Sequence, residues 1–302
     1  MAHAKGSYYL PDPSHWPLVG SLGLFLTLGG FGFFLTRGEH AGWAQAAPML
    51  LGFAIIIYML FGWFGTVVRE SEGGKYNDQV DVSFRMGMMW FIFSEVMFFA
   101  AFFGALFYIW QFSMPWLSGG DVETHNQLWN KFSNAWPMLV TPTAAMDAAQ
   151  STFRNAKDFI HAWPIPTINT IILISSSFTV TFAHWALKTN SRTKLNLWML
   201  VTVVLGATFV ILQAMEYSHA YKELDLTLNS GGYATAFFML TGFHGLHVTI
   251  GTIILTVIMF RCIKGHFKPE HHFGFEAAAW YWHFVDVVWI CLYVLVYVIP
   301  ET

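Results

Sequence analysis

The chain has 302 residues, of which 55% are hydrophobic and 18% aromatic, while only 11% are charged. Soluble domains carry roughly twice that share of charged residues, so the composition predicts a membrane protein that crosses the bilayer several times. The formal net charge is −3 and no basic run occurs, which excludes a nucleic-acid-binding surface.

Seven apolar segments are each long enough to cross about 30 Å of hydrocarbon as an α-helix. They cover about residues 18–36, 46–68, 85–111, 165–187, 195–218, 233–262 and 275–299. No internal repeat or soluble domain separates them. The sequence therefore predicts one all-α integral membrane domain over residues 1–302.

The distribution of basic residues predicts the orientation of these spans. One side would hold Lys5, Arg69, Lys75, Arg85, Lys188, Arg192, Lys194, Arg261, Lys264 and Lys268. The other side would hold Arg37, Lys131, Arg154, Lys157 and Lys222. Because cytoplasmic loops carry the excess of Lys and Arg, the N-terminus is expected in the cytoplasm and the C-terminus outside.

The loop between the third and fourth spans, residues 112–164, is long and is expected on the outer side. Apolar residues in its second half recur at alternating spacings of three and four: Met146, Ala149, Phe153, Ala156, Ile160 and Trp163. This pattern predicts an amphipathic helix that ends before Pro164. A disordered loop is the alternative.

Several ionisable residues lie inside the predicted spans. Glu95 stands in the apolar run FIFSEVMFFAAFF, where a bare carboxylate costs about 2.5–3.5 kcal/mol, so it needs a partner or a proton. The others are His184, Glu216, His219, His244, His247, Glu276, His283 and Asp286. Spacings of three residues within the later spans place pairs of them on one helix face. We interpret the set from Glu216 to Asp286 as an interhelical polar network in which histidines donate to buried acids.

Two other functions, a metal centre and a proton-coupled transporter, also use ionisable residues within membrane spans. His244, His247, His271, His272 and His283 could ligate di-iron or haem and copper. The single HxxH motif has no adjoining HH pair, however, and the 271–272 pair is expected in a loop, at a different depth from the motif. No residue is therefore assigned as a metal ligand. A proton-coupled transporter with Glu95 as carrier would show repeated halves and helices broken at mid-membrane, and neither pattern is found.

Four motifs resemble subunit III of haem-copper cytochrome c oxidase. They are VRES at 68–71, FSEV at 93–96, TGFHGLHV at 241–248 and HHFGFEAAAWYWHFVDVVW at 271–289. They occur in the family's order on the second, third, sixth and seventh spans. The resemblance covers nearly the whole chain except loop 112–164, to which nothing is carried over. Quinol oxidase third subunits are typically shorter with five spans, so seven spans favour the cytochrome c branch.

The resemblance implies a subunit without a redox cofactor of its own, in a bacterial inner membrane. Spans one and two would pack apart from spans three to seven and leave a V-shaped cleft filled with phospholipids. The partners would be the catalytic subunit I and the copper-bearing subunit II, which carry the haems and copper, with cytochrome c as electron donor. The complex would reduce oxygen to water and pump protons.

The resemblance also implies roles for particular residues. Glu95 would be the family's membrane-embedded glutamate. The lipid-binding residues would be Trp63, Arg69, Glu70, Arg261, Lys264, His266 and His271. A further expectation rests on residue type: acids and imidazoles on the cytoplasmic face would help to collect protons for the catalytic subunit, and an ordinary solvated loop face is the alternative. These groups are His3, His15, Asp78, Asp81, His266, His271 and His272.

Overall fold

A computed structural model describes residues 9–36, 42–147, 151 and 155–301. Within these residues the protein is helical and has no strand. The α-helices are α1 (Trp16–Leu35), α2 (Trp43–Glu72), α3 (Asp78–Tyr108), α4 (Val122–Leu128), α5 (Pro142–Met146), α6 (Ile165–Lys188), α7 (Arg192–Lys222), α8 (Gly232–Ile263) and α9 (Phe273–Leu292). Seven of them, all except α4 and α5, are long and apolar enough to span a membrane. The prediction of an all-helical protein with seven spans is confirmed.

The third span is longer than predicted at both ends. It begins at Asp78 because acidic side chains in the first turn are favourable at the positive end of a helix, a signal that hydrophobicity does not carry. At the other end, π-helical turns at Ile109–Ser113 and Trp116–Gly120 continue it. Gly119, with a φ of 129°, terminates the helical stretch.

The chain divides into two compact units, Met1–Phe84 and Arg85–Thr302. The first contains α1, α2 and the beginning of α3, and the second contains the rest of α3 and the helices to the C-terminus. In the first unit α1 and α2 pack backbone against backbone. A Cβ at Gly30 would lie 2.4 Å from the Met49 amide nitrogen, and one at Gly52 would lie 2.4 Å from that of Thr27, so only glycine permits this approach.

Helix α9 is the centre of the second unit. Half of its apolar stretch is buried within the chain, against 6% for α2 in the first unit. Its Trp282 and Trp289 are fully buried and each donates a hydrogen bond to α6, Trp282 to Ser176 Oγ at 2.8 Å and Trp289 to Thr170 Oγ1 at 2.9 Å. The indole rings thus fill the space between helices while their polar atoms are satisfied.

The amphipathic helix predicted across residues 146–163 is wrong where the structure describes it. Residues 148–150 and 152–154 lie outside the described residues, but residues 155–164 are not helical. Ala156, Ile160 and Ala162 are buried and Asp158 is half-buried, whereas Lys157 and His161 are exposed. This alternation over residues 156–162 is the period of an extended chain. Backbone donors bond elsewhere: Lys157 N to Leu224 O at 2.8 Å, and Ala162 N to Glu301 Oε1 at 2.7 Å. Because these backbone N–H groups already have partners outside the segment, forming a helix here would add no hydrogen bonds for them.

Candidate functional site

Glu95 on α3 meets His247 on α8. The glutamate Oε2 lies 2.9 Å from the imidazole Nε2, and the other ring nitrogen, Nδ1, lies 2.6 Å from the Phe243 carbonyl oxygen. Since a carbonyl only accepts, Nδ1 donates to it, and the Nε2 of a neutral imidazole then carries a lone pair. The contact with Glu95 therefore requires a further proton, which sits on the acid or on the ring. The carboxyl group thus has a partner, and the contact between the two side chains holds a proton.

Glu276, in the first turn of α9, joins three helices at one end of the second unit. Its Oε2 pairs with the Arg85 guanidinium from α3. Its Oε1 lies 3.2 Å from His272 Nε2 and 3.6 Å from His184 Nε2 on α6, and the two imidazole nitrogens are 3.1 Å apart. The side chains of His272 and Glu276 are 7% and 13% exposed, so this is a largely buried cluster.

Glu216 and His219 do not form the pair that their spacing suggested. Glu216 is buried and accepts a hydrogen bond of 2.6 Å from the Tyr297 hydroxyl, whereas His219 is exposed and its ring has no hydrogen bond among the described residues. Three residues correspond to 300° of helical rotation, so the two side chains point about 60° apart. Glu216 therefore points into the helix bundle, and His219 points away from it.

His244 and Asp286 are buried without the expected acid–imidazole contacts. Neither ring nitrogen of His244 has a hydrogen-bond partner among the described residues, and the ring stacks on Trp289 at 5.0 Å between centroids. His283 Nδ1 lies 2.5 Å from Ser177 Oγ but 3.9 Å from Asp286 Oδ2, which is too long for a hydrogen bond. The polar residues of the spans therefore form separate clusters and not one network.

Three of the expected lipid-binding residues lie around two neighbouring surface pockets of the first unit. Arg69 lines one pocket with His15 and Lys75, and Trp63 lines the other; Glu70 borders both. Arg69 donates to Thr66 Oγ1 at 3.1 Å. The first pocket thus presents the cations Arg69 and Lys75 beside the acids Asp12 and Glu70.

Two hydrogen bonds, both outside the membrane spans, hold charged side chains of these pockets in place. Lys75 donates to Asp12 Oδ2 at 3.0 Å, and this bond raises the pKa of the Lys75 ammonium, which stays charged. Tyr76 donates to Glu70 Oε2 at 2.8 Å. Burial, followed by this hydrogen bond, raises the pKa of the Tyr76 hydroxyl, so Glu70 keeps its donor up to high pH.

The other expected lipid-binding residues lie at the end of α8 and the loop that follows it, in the second unit. The Arg261 guanidinium lies over the Phe267 ring at 4.4 Å. Lys264 and His271 are exposed and His266 is half-buried. This end of the second unit therefore offers accessible positive charge.

Sequence reasoning missed the partners that complete these clusters. From the sequence, Arg85 is only a basic residue at a span edge, His184 has no assigned role, and nothing singles out Tyr297. Arg85 and Glu276 are 191 positions apart, and Glu216 and Tyr297 are 81 apart. Spacing within one helix indicates which residues share a face but carries no signal for such distant contacts.

Comparisons with known proteins cover nearly the entire chain. The sequence profile of the family described as cytochrome c oxidase subunit III matches residues 6–115 and 132–300. Three similar proteins, each named cytochrome c oxidase subunit 3, come from Pongo abelii, Formosania lacustris and Heterololigo bleekeri. They are 39%, 38% and 38% identical to this chain, and the alignments cover 97–98% of the chain and 98% of each relative.

The unmatched residues 116–131 coincide with the second π-helical turn and α4. The matched regions contain all four motifs, helices α1 to α3 and α6 to α9, and every polar cluster described above. Taken with the helical architecture, the full-length similarity shows that this membrane protein belongs to the cytochrome c oxidase subunit III family.

Proposed function

We propose that the chain is the non-redox third subunit of a proton-pumping cytochrome c oxidase in a bacterial inner membrane, with its N-terminus in the cytoplasm and its C-terminus in the periplasm. Subunits I and II would carry the haems and copper, and cytochrome c would deliver electrons. The observation that carries this proposal is the match over 98% of both this chain and the Pongo abelii protein named cytochrome c oxidase subunit 3.

A supporting role fits the surface of the spans. Only 11% of the apolar stretch of the third span and 6% of that of α2 are buried within the chain. Such faces need lipid or another membrane protein to cover them. We infer that they contact the catalytic subunit and membrane phospholipids, and that the chain stabilises the catalytic subunit.

The proposal is tested by purifying the complex through an affinity tag on this chain. We expect co-purified subunits with haem and copper absorption, and cyanide-sensitive oxygen uptake with reduced cytochrome c. The same chain expressed without its partners should show no haem absorption. Oxygen uptake with a quinol only would instead support the quinol oxidase alternative, and substrate-dependent proton flux by the lone chain in vesicles would support a transporter.

We further propose that Trp63, Arg69, Glu70, Arg261, Lys264, His266 and His271 contribute to phospholipid binding. The support is local: the Arg69 and Lys75 side chains share one pocket, an aromatic pocket lies next to it, and Arg261 is held by Phe267 at a helix end. A guanidinium binds a phosphate through two parallel hydrogen bonds, which an ammonium does not.

Lipid binding is tested by counting the phospholipids that remain with the purified complex. Arg69→Ala and Arg261→Ala should each lose tightly bound phospholipid, because a phosphate contact is removed. Lys194→Ala, which removes an exposed cation elsewhere, should lose none. An unchanged lipid content in both arginine variants would overturn the assignment.

Support of proton uptake is the third part of the proposal. Asp78, Asp81, His15, His266 and His271 lie outside or at the ends of the apolar stretches, where they can exchange protons with water. His272 is largely buried, and His3 lies outside the described residues. Glu95 would act indirectly by fixing the packing of α3. Replacing His15 and His271 by Gln should slow turnover at alkaline pH, where protons are scarce. Unchanged turnover there would remove this role.

A further inference from the structure

Four polar side chains in the interior of the second unit carry hydrogen-bonding atoms that have no partner among the described residues. Both polar atoms are unpaired in Asn169 on α6, Gln213 on α7 and His244 on α8, and so is Oε2 of Glu216 on α7. Each of these residues is at most 6% exposed. Because buried polar groups are almost always hydrogen-bonded to protein or to ordered water, these atoms call for a partner that the neighbouring side chains do not supply.

Asn169 and Gln213 lie at one level of the α6–α7 pair. The hydroxyl oxygens of Thr179 and Thr202 are 2.7 Å apart and set the register of the two antiparallel helices. Asn169 lies ten residues before Thr179, and residue 212 lies ten residues after Thr202. The Asn169 and Gln213 side chains therefore differ in depth by about one helical position, and both belong to the buried stripes of their helices.

His244 lies at the same level on α8. The hydroxyl oxygens of Tyr217 and Thr241 are 2.7 Å apart and set the register of α7 against α8. Three residues further along α8 and three residues back along α7, His244 comes within one position of Gln213. A Cβ at the adjacent Gly245 would lie 3.9 Å from Gln213 Cγ, so the glutamine side chain packs directly against this turn of α8.

Tyr297, in the π-helical turn Tyr293–Val298 after α9, connects Glu216 to the same region. Its hydroxyl donates to Glu216 Oε1 at 2.6 Å, and Gln213 lies beside that hydroxyl without forming a hydrogen bond to it. The His244 and Tyr297 rings both pack on Trp289, at 5.0 Å and 5.9 Å between centroids. The unpaired atoms thus surround one buried region between α6, α7, α8 and the end of the last span.

The mixture of donors and acceptors defines the chemistry of the ligand. Each of the two amide groups offers an NH₂ donor and a carbonyl acceptor, a neutral imidazole offers one donor and one acceptor, and Glu216 adds a carboxyl oxygen. A cation would satisfy only the acceptors, and an anion only the donors. Water donates and accepts, and a buried water molecule typically makes about three hydrogen bonds, so water satisfies both kinds of atom together.

We propose that Asn169, Gln213, Glu216 and His244 bind a cluster of ordered water molecules that joins α6, α7 and α8 inside the second unit. The waters make the hydrogen bonds between helices that the four side chains do not make directly. The site consists of this chain's own residues, so the inference is independent of the proposed oxidase function.

Electron cryo-microscopy of the wild-type membrane assembly, purified through a tag on this chain, tests the site without any variant. At a resolution that shows ordered water, separate peaks should lie at about 2.7–3.2 Å from the polar atoms of Asn169, Gln213 and His244. Direct contacts among these side chains without an intervening peak would overturn the proposal. Continuous density of an acyl chain, or one peak contacted by acceptors alone, as for a cation, would also overturn it.

Substitution of His244 gives a second test with a matched control. His244→Phe keeps an aromatic ring against Trp289 but removes both nitrogens, so the peak beside them should be lost and the thermal unfolding midpoint should fall by several degrees. Nitrogens that bind no water would give the opposite result, because replacing them with carbon removes unpaired polar atoms and raises the midpoint. The control His219→Phe changes an exposed imidazole on α7 and should keep both the peaks and the midpoint. A raised midpoint or an unchanged peak pattern in His244→Phe would contradict the assignment.

Discussion

At the scale of single residues, Glu95 shows how a carboxyl group is accommodated in an apolar membrane-spanning helix. Its separation from His247 Nε2 is 2.9 Å, and the hydrogen bond of the other ring nitrogen to the Phe243 carbonyl requires a shared proton in that contact. A protonated acid or an ion pair has no net charge, which avoids most of the cost of about 2.5–3.5 kcal/mol for a bare carboxylate. The contact also joins α3 to α8, so its loss should weaken their packing.

This gives a prediction for two substitutions at one position. Glu95→Gln keeps a hydrogen bond, because the amide group can donate to His247 Nε2. Glu95→Ala leaves that nitrogen unpaired in a half-buried site, which costs about 1–3 kcal/mol. Thermal unfolding of this chain within the detergent-solubilised complex should show a clearly lower midpoint for Ala and a small change for Gln.

The control for this pair is Glu223→Gln, which changes an exposed glutamate outside the apolar run and should leave the midpoint unchanged. Infrared difference spectra should show a protonated carboxyl band that disappears in Glu95→Gln if the acid holds the proton. Equal midpoints for Gln and Ala would show that the hydrogen bond does not stabilise the fold.

The sequence identified the polar residues of the spans but not their partners. Helical spacing placed Glu216 beside His219, yet the glutamate bonds to Tyr297, 81 positions away. Likewise His244 lies against the Trp289 ring and not against an acid. The free-energy cost of burying a charged group predicts that a partner exists. The identity of that partner depends on how the helices pack.

At the scale of elements, the segment 155–164 shows a limit of periodicity. Spacings of four residues, as between Ala156 and Ile160, fit a helix, but they are also multiples of two and fit an extended chain. The burial pattern and the bonds to Leu224 and Glu301 decide for the extended form. The long spans are not ambiguous in this way, because an apolar segment that crosses a bilayer must be helical for its backbone N–H and C=O groups to be hydrogen-bonded.

Helix packing around Trp282 gives a prediction at the same scale. A Cβ at Gly206 on α7 would lie 2.8 Å from the Trp282 ring and 2.8 Å from Thr252 Oγ1 on α8. Because the indole is fully buried, it cannot move away cheaply, and overpacking costs about 1–3 kcal/mol. Gly206→Ala should therefore lower the unfolding midpoint.

A matched control and a second substitution make that result specific. A Cβ at Gly245 on α8 would have only an ordinary contact of 3.9 Å with Gln213, so Gly245→Ala should be neutral or stabilising. Combining Gly206→Ala with Trp282→Phe removes the clashing ring atoms, and the two effects should couple by about 0.5–3 kcal/mol. Strict additivity would show that the indole is not the obstacle.

At the scale of the whole molecule, hydrophobicity predicted the number and order of the spans and their boundaries to within a few residues, except in the third. The resemblance implied a two-helix and a five-helix bundle; the chain does divide into two compact units, but the boundary, between Phe84 and Arg85, lies within α3. The contacts of Arg85 with Glu276 and of His184 with His272 were not predicted, since they depend on how α3, α6 and α9 come together.

The orientation of the molecule is the last prediction, and it rests on the excess of basic residues on one side. Thr189→Cys, in the turn between α6 and α7, should react with a membrane-impermeant maleimide only in inverted vesicles, because that turn is expected in the cytoplasm. Ser133→Cys, in the loop after α4, should react only in right-side-out vesicles. Both positions are exposed and neither substitution changes the count of basic residues.

The native protein serves as the control for that experiment, since Cys262 is buried and Cys291 lies within a span, where a thiol has little access to water and is a poor nucleophile. The two variants lie on either side of a single span, α6, so any even number of crossings between residues 133 and 189 would give them the same labelling pattern. Opposite labelling with Ser133→Cys inside would reverse the orientation and move the proposed proton-collecting groups to the periplasmic side.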